Sequence, residues 1–373
     1  MRLDKKLNIA IIGSRGYPYV YSGYETLVRE LSERLVKKGH KVRVYCHSSL
    51  FTKKPKFVNG IELVYTPSIE TKFLSQIINS FFSFMHVCFS KIDVVLVVNS
   101  ANGPFGLFTK LLQIPTAINV DGLEWLRPKW RGLGSVYFKV SSKLATLFFD
   151  KIITDSVEMS KIYIKKFKKK SNVIAYGPTI IQSKRKLVLN KYKLKAKEYY
   201  LIVGRLIPDN NSELIIKGFL NSNSSKKIVI VGDVPYNDFF SKRVKRLNSE
   251  KVIFTGYIKD QINLSRLYQD CYAYIHGHEF GGTNPTMINA LFLNCEILAL
   301  NTKFNVEMLK NKKALYFEKE LSSVSEIFNE FERNYFNYKK KNKGYKLPKI
   351  YDWNFITEKY EDIFYKLTNY QSK

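Results

Sequence analysis

At 373 residues the chain exceeds the usual size of a single hydrophobic core. Its 45% hydrophobic and 25% charged composition is that of a globular protein and excludes both a disordered chain and a multi-span membrane protein. The formal net charge of +29 calls for an acidic partner, whether nucleic acid, anionic lipid or a phosphorylated ligand, although lysine supplies 48 of the 61 basic residues and genome base composition also produces such a bias. Cys46, Cys88, Cys271 and Cys295 lie far apart with no metal-ligand spacing and read as reduced core residues. The amino terminus, MRLDKKLNIAIIGSRG, lacks the pattern of a signal peptide, so a cytoplasmic location is expected.

Strand-like Leu7 to Ile12 leads into a glycine turn and a helix over Tyr24 to Lys38, with Leu27, Val28, Leu31, Leu35 and Val36 on one face and Gly39 as the C-cap glycine. Alternating Val42, Val44 and Cys46, then apolar runs at Val94 to Val98 and Thr116 to Val120, continue a βαβ rhythm. Between Lys169 and Lys197 the pattern breaks around Pro178, and a second series of strands begins at Tyr199, with runs at Ile228 to Val231, Val252 to Phe254, Tyr272 to Ile275 and Ile297 to Leu300. Helical stretches near 211–221, 260–269 and 284–294 separate them. Two successive parallel α/β halves predict two Rossmann-like domains. The expected limits are 1–180 and 198–350, with a carboxyl-terminal helix in 351–373 expected to cross back onto the first half.

Phe73 to Ser90, FLSQIINSFFSFMHVCFS, is rich in phenylalanine and nearly uncharged, yet too short and too polar to cross a bilayer. It reads either as a helix packed on the sheet or as one lying in a membrane interface, helped there by the basic run Lys165 to Lys170.

The first βα turn, GSRGYPYVYSGYET, brings Gly13, Gly16 and Gly23 between strand and helix, which suits either a phosphate approach or a tight turn capped by Ser22. In the second half, Gly204-Arg205 follows a strand at the edge where ligands bind in open α/β sheets, and an arginine there can grip a diphosphate. HGHEFGGTNPTMINA then offers Gly281 and Gly282 before Thr283 as N-cap and Pro285 in the first helical turn, a ready phosphate cradle, with Asn289 one turn further on. His276 and His278 stand at i and i+2, where strand alternation would send them to opposite faces, and no third ligand of matching spacing suggests a metal. Trp125 and Trp130 suit either sugar stacking or core anchoring.

With NVDGLEWLRPKW at 119–130, TDS at 154–156, AYGP at 175–178, GRLIPDNN at 204–211 and the terminal YDWNFITEKYEDIF, these marks resemble the retaining GT-B glycosyltransferases of family 4. The likeness is to the bacterial rhamnosyltransferase branch of capsule and cell-wall polysaccharide synthesis. It implies two Rossmann-like domains facing each other across a cleft, no cofactor and no metal. It also implies a nucleotide-diphosphate sugar as donor, a polyprenyl-diphosphate-linked saccharide as acceptor, and attachment to the anionic inner face of the plasma membrane.

Carried over by resemblance, Arg205, Asp121 and Glu25 are the expected catalytic residues. Gly16, Arg205, Asn210, His276, Gly281, Gly282, Thr283, Asn284 and Asn289 are expected on the donor side, and Tyr24, Glu25, Asp121, Glu124 and Trp125 on the acceptor side. Glu124 and Asp121 also suit pairing with Arg127. Two departures stand out: Asn210 replaces the wider family's lysine, and Asn289 replaces the glutamate that grips the ribose hydroxyls, an amide without a carboxylate's charge assistance. A UDP-sugar donor, or an inactive sugar-nucleotide-binding protein, therefore stands beside the dTDP-rhamnose reading. No nucleic-acid-binding signature accompanies the positive charge, so nucleic acid is not expected as a partner.

Overall fold

A computed structural model describes residues 5–18, 23–69, 71, 74–127, 130, 132–183, 187–234 and 238–369; Ser22 and Phe73 lie outside them. Two compact units emerge, residues 1–177 with 349–373, and residues 178–348. Unit 1 begins β1 (Asn8–Ile12), α1 (Gly23–Lys37), β2 (Lys41–His47), β3 (Phe57–Val58), β4 (Ile61–Thr66), α2 (Leu74–Cys88) and β5 (Val94–Val98). It continues α3 (Gly106–Leu111), β6 (Thr116–Asn119), α4 (Leu133–Phe148), β7 (Lys151–Thr154), α5 (Val157–Phe167) and β8 (Asn172–Val173).

These strands form one sheet in the order β3-β4-β2-β1-β5-β6-β7-β8, parallel except for the β3–β4 hairpin. β5 is a run of five buried residues, as befits a strand covered on both faces. The first helix ends where Gly39 donates to the Val36 carbonyl at 2.8 Å and His40 to that of Leu35 at 3.1 Å, a Schellman-type closure. No described helix is long and apolar enough to cross a membrane.

Unit 2 runs α6 (Leu187–Lys191), β9 (Tyr199–Val203), α7 (Ser212–Leu220), β10 (Lys227–Val231), α8 (Phe239–Lys245), β11 (Val252–Gly256) and α9 (Gln261–Asp270). After these come β12 (Ala273–His276), α10 (Pro285–Phe292), β13 (Ile297–Leu300), α11 (Lys303–Leu309), β14 (Leu315–Phe317) and α12 (Leu321–Lys341). Its parallel sheet is ordered β11-β10-β9-β12-β13-β14. One face is filled by Tyr200, Ile215, Phe219, Ile228, Phe328 and Phe331, where α7 and α12 pack on the central strands. The last helix, α13 (Trp353–Asn369), belongs to unit 1 and buries Ile356, Tyr360 and Phe364; its Glu361 meets Lys38 at 2.7 Å and His40 at 2.9 Å.

The turn after β1 is set by a close approach. Gly13 has φ +102°, and a β-carbon there would lie 2.1 Å from the Val98 carbonyl oxygen and 2.5 Å from Asn102 Nδ2. Gly13→Ala should therefore lower unfolding stability by about 2–4 kcal/mol, combining backbone strain with a displaced strand end. A urea midpoint equal to that of the parent would show that the turn relaxes freely.

Candidate functional site

In unit 2 the strand order reverses between β9 and β12: β10 lies outside β9 and β13 outside β12. The loops leaving these two carboxyl ends must diverge, which opens a crevice at the switch point. Residues 204–211 and 277–284 are those loops.

They are stitched together. A β-carbon on Gly277 would sit 2.4 Å from the Asn210 carbonyl oxygen, so only glycine allows this backbone contact. Glu279 N–H donates to the Asp209 carbonyl at 3.1 Å. Asn211, buried and at φ +55°, donates from Nδ2 to the Gly277 carbonyl and to Glu279 Oε1, both at 2.8 Å. Glu279 is further neutralised by Lys319 at 2.5 Å. Sequence reasoning gave Asn211 no role, although an asparagine before a helix is one of the few residues that tolerates the left-handed conformation.

Arg205 sits exposed at the head of this crevice, and its guanidinium has no partner among the described residues. Asn210 is turned inward, with Nδ2 donating to the Arg205 carbonyl at 2.8 Å, so it braces the arginine's loop instead of offering its amide to a ligand. Gly281 adopts φ +115° with open space where a β-carbon would point, and buried Gly282 and Thr283 follow. The N-cap of α10 is Asn284, not Thr283: Asn284 Oδ1 accepts from Thr286 N–H at 3.1 Å, and Pro285 takes the first helical position. The sequence offset is one residue because Asn caps as well as Thr.

His276 needs correcting as a donor-site residue. It is fully buried, and burial pushes its pKa down to about 3, so it is neutral. Thr286 Oγ1 donates to Asn284 Oδ1 at 2.8 Å and must accept from the Tyr274 hydroxyl, 2.8 Å away. That hydroxyl then accepts from His276 Nδ1 at 2.9 Å, leaving Nε2 a bare acceptor with no hydrogen-bond partner. In this arrangement the imidazole offers a phosphate oxygen no proton. The expected alternation fails as well, because β12 ends at His276 and Gly277 turns the chain: the His276 and His278 rings stack at 4.4 Å and 11°.

Asn289 is also committed internally. Its Oδ1 accepts from Thr179 N–H at 3.0 Å and its Nδ2 lies 3.4 Å from Thr179 Oγ1, so the amide expected to face a ribose holds the chain's own entry into unit 2.

In unit 1, a β-carbon on Gly16 would lie 2.8 Å from both Cβ and Sγ of Cys46. That glycine is explained by packing on β2. Buried Glu25 accepts from Arg15 N–H at 2.9 Å and braces the same loop. Glu124 is held by Arg127 at 3.0 Å and by Trp130 Nε1 at 2.6 Å. Trp125 is 6% exposed, enclosed by Tyr163 and Phe167 with the Lys166 ammonium 4.7 Å over its ring; it anchors α5 and is not a stacking platform for a sugar.

Asp121 and Tyr24 do come together. Tyr24 hydroxyl donates to the Asp121 carbonyl at 3.0 Å, and Tyr176, from the AYGP segment, donates to Asp121 Oδ2. Behind them Asn119 donates to the Tyr360 hydroxyl on α13 at 2.7 Å. Burial pushes the Asp121 carboxyl up to about 6, against the opposing pull of the Tyr176 and Tyr24 hydroxyls and the Arg127 charge. The same burial holds the Tyr24 and Tyr176 hydroxyls well above the usual tyrosine range, so both stay protonated as donors. Among the described residues no cluster of three His, Cys, Asp or Glu could hold a metal ion.

Residues 185–346 match the family described as "Glycosyl transferases group 1", and residues 6–179 match "Domain of unknown function (DUF1972)". The glycosyl transferase match spans almost all of unit 2. Solved structures share the GT-B fold over nearly the whole chain. A sucrose-phosphate synthase from Thermosynechococcus elongatus is 13% identical, with a TM-score of 0.79 over 97% of this chain and 99% of that one. A glycosyltransferase from Rickettsia africae is 16% identical, with a TM-score of 0.75 over 97% and 98%. Anabaena HepE in complex with UDP is 13% identical, with a TM-score of 0.74 over 96% and 100%. No curated protein matches the chain.

The raised Asp121 carboxyl has a defined consequence for stability. With a folded pKa near 6, above its unfolded value, the group stabilises the fold fully below the unfolded pKa, and that stabilisation is lost as pH rises through about 6. Relative to Asp121→Asn, which does not titrate, the parent should gain stability as pH falls from 7 toward 4. Parallel urea-midpoint profiles for the two proteins would contradict the shift.

Proposed function

We propose that the chain is a glycosyltransferase moving a sugar from a nucleoside diphosphate sugar to a saccharide acceptor, with unit 2 holding the donor. The observation that carries this is Arg205, an unpartnered guanidinium over two stitched loops at the switch point of a group 1 glycosyl transferase domain. Arg205 and the N–H groups that open α10 would stabilise charge building on the departing diphosphate, electrostatic catalysis that needs no protein nucleophile. In unit 1, Asp121 with Tyr24 and Tyr176 offers an acceptor hydroxyl a carboxylate poised near neutrality between two protonated phenols.

The finer reading is transfer of rhamnose from dTDP-rhamnose, with retention, to a lipid-linked saccharide in capsular or cell-wall polysaccharide synthesis. Its support is the run of motifs from GSRGYPYVYSGYET to HGHEFGGTNP. A UDP-sugar donor is the second reading, favoured by an asparagine at 289 where the resemblance expects a glutamate and by the UDP bound in Anabaena HepE.

The test is transfer from dTDP-rhamnose and a panel of UDP-sugars to polyprenyl-diphosphate-linked glucose or N-acetylglucosamine. Product from dTDP-rhamnose alone supports the first reading, product from a UDP-sugar alone the second, and binding without product an inactive receptor. Arg205→Ala should cut turnover by roughly a hundredfold to a thousandfold with the melting temperature unchanged, because its side chain is exposed. Undiminished turnover would remove Arg205 from this role.

A further inference from the structure

The amino edge of unit 2's sheet, opposite the crevice, holds a cavity of ≈ 590 Å³, a size that suits a small-molecule site. Lys197, Tyr272 and Glu296 line it from the residues that lead into β9, β12 and β13. Residues 204–211 and 277–284 leave the carboxyl ends of these strands, so the cavity shares no residue with the crevice loops.

The end of α12 supplies much of the wall. Val324, Ile327, Phe328 and Phe331 put one stripe of this helix in the core, and Tyr335 continues it by stacking on Tyr272 at 4.2 Å and 22°. Phe336, Lys339 and Lys340, with Lys343 in the turn that follows, stand at i, i+3, i+4 and i+7 and so share a second face. Phe336 is 82% exposed, edge to face with Tyr335 at 5.5 Å.

A basic last turn complements the helix dipole, which accounts for lysines there. It does not account for a phenylalanine standing among them at the rim of a cavity. The charges are also unspent: among the described residues Lys339, Lys340 and Lys343 make no ion pair. The other polar groups of the wall are committed. Lys197 donates to the carbonyls of Gln269 at 2.7 Å and Cys271 at 2.8 Å. Glu296, the acid among the lining residues, accepts from Asn342 Nδ2 at 2.5 Å, and Asn294 Oδ1 accepts from Lys312 at 2.6 Å. What remains to face a ligand is cationic and aromatic.

We propose that this cavity binds a nucleoside phosphate, with the phosphates among Lys339, Lys340 and Lys343 and the base on the exposed ring of Phe336. Ammonium groups free of carboxylates favour phosphate oxygens, and an aromatic ring beside them gives a base a stacking surface. A saccharide also stacks on aromatic rings, but its hydroxyls need acceptors, and Glu296 is engaged. The lysines converge on one cavity and do not track along a groove, which suits a mononucleotide over a strand of nucleic acid. The site stands whatever the crevice binds.

The experiment is calorimetric titration of the purified full chain with ADP and with pyrophosphate. ADP should bind the more tightly. Lys339→Ala/Lys340→Ala/Lys343→Ala should weaken both by roughly tenfold or more, whereas Phe336→Ala should weaken ADP roughly tenfold and leave pyrophosphate unchanged. Arg205→Ala, in the crevice, should retain the binding event that the lysine variant loses. The replaced side chains are exposed, so melting curves should match the parent's; Lys340→Glu alone is the second variant should the triple one not fold. No ADP binding by the parent, binding undiminished in the cavity variants, or a Phe336→Ala variant that loses pyrophosphate as much as ADP would each overturn the assignment.

Discussion

Unit 2's carboxyl edge depends on how closely two backbones approach. With Gly277 a β-carbon's width from the Asn210 carbonyl, the loops after β9 and β12 share one wall, and Asn211 can reach across to bond both Gly277 and Glu279. Each such hydrogen bond contributes only about 0.5–1.5 kcal/mol net, but an unmatched buried amide would cost more. The arrangement is therefore closed to small adjustments. Asn210 in turn bonds the Arg205 carbonyl, so Arg205 leaves the wall from a braced backbone.

Unit 1 solves a similar problem with different contents. Gly13 lets the turn after β1 lie against the end of β5, and Glu25 holds the next turn by the Arg15 N–H. The polar reserve lies instead at the end of β6, where Asp121, Asn119 and three tyrosines share hydrogen bonds in a buried cluster. Tyr360 reaches this cluster from the last helix, so the chain's final segment helps set the environment of Asp121. Removing α13 would expose the cluster to water and return the carboxyl toward its ordinary range.

The strands were legible because parallel strands covered on both faces read as unbroken apolar runs, and β5 and β13 match their sequence limits to the residue. The glycine-rich loop before α10 was legible for the same kind of reason, since glycine and proline constrain the backbone whatever surrounds them. Side-chain roles were not. Asn289 and Asn210 stand where a ligand-facing group was expected, yet each spends its amide on the chain's own backbone, a choice made by a segment distant in sequence or by a loop's exact path. Trp125 was ambiguous until Tyr163 and Phe167 were seen around it. The buried faces of α2 and α4 were hidden for a further reason: serines at 75, 80, 83, 141 and 142 fill much of them, so apolar periodicity alone does not tell which face is buried.

The charge balance at the crevice narrows what can stabilise a diphosphate there. Arg205 carries the single permanent cation of the two loops, His276 at the end of β12 is held neutral, and Lys319 outside them is spent on Glu279. A helix N-terminus contributes roughly half a positive charge, and that only within its first turn. Arg205 and the opening of α10 together supply about one and a half positive charges, short of the two to three negative charges of a departing diphosphate by roughly half a unit to one and a half. On the proposed function the deficit falls to backbone N–H groups of the loop before α10, where Gly281 has φ +115° and open space where a β-carbon would point. An anion bound this way is held by directed hydrogen bonds more than by net charge, so its affinity should depend less on salt than the +29 of the whole chain would suggest.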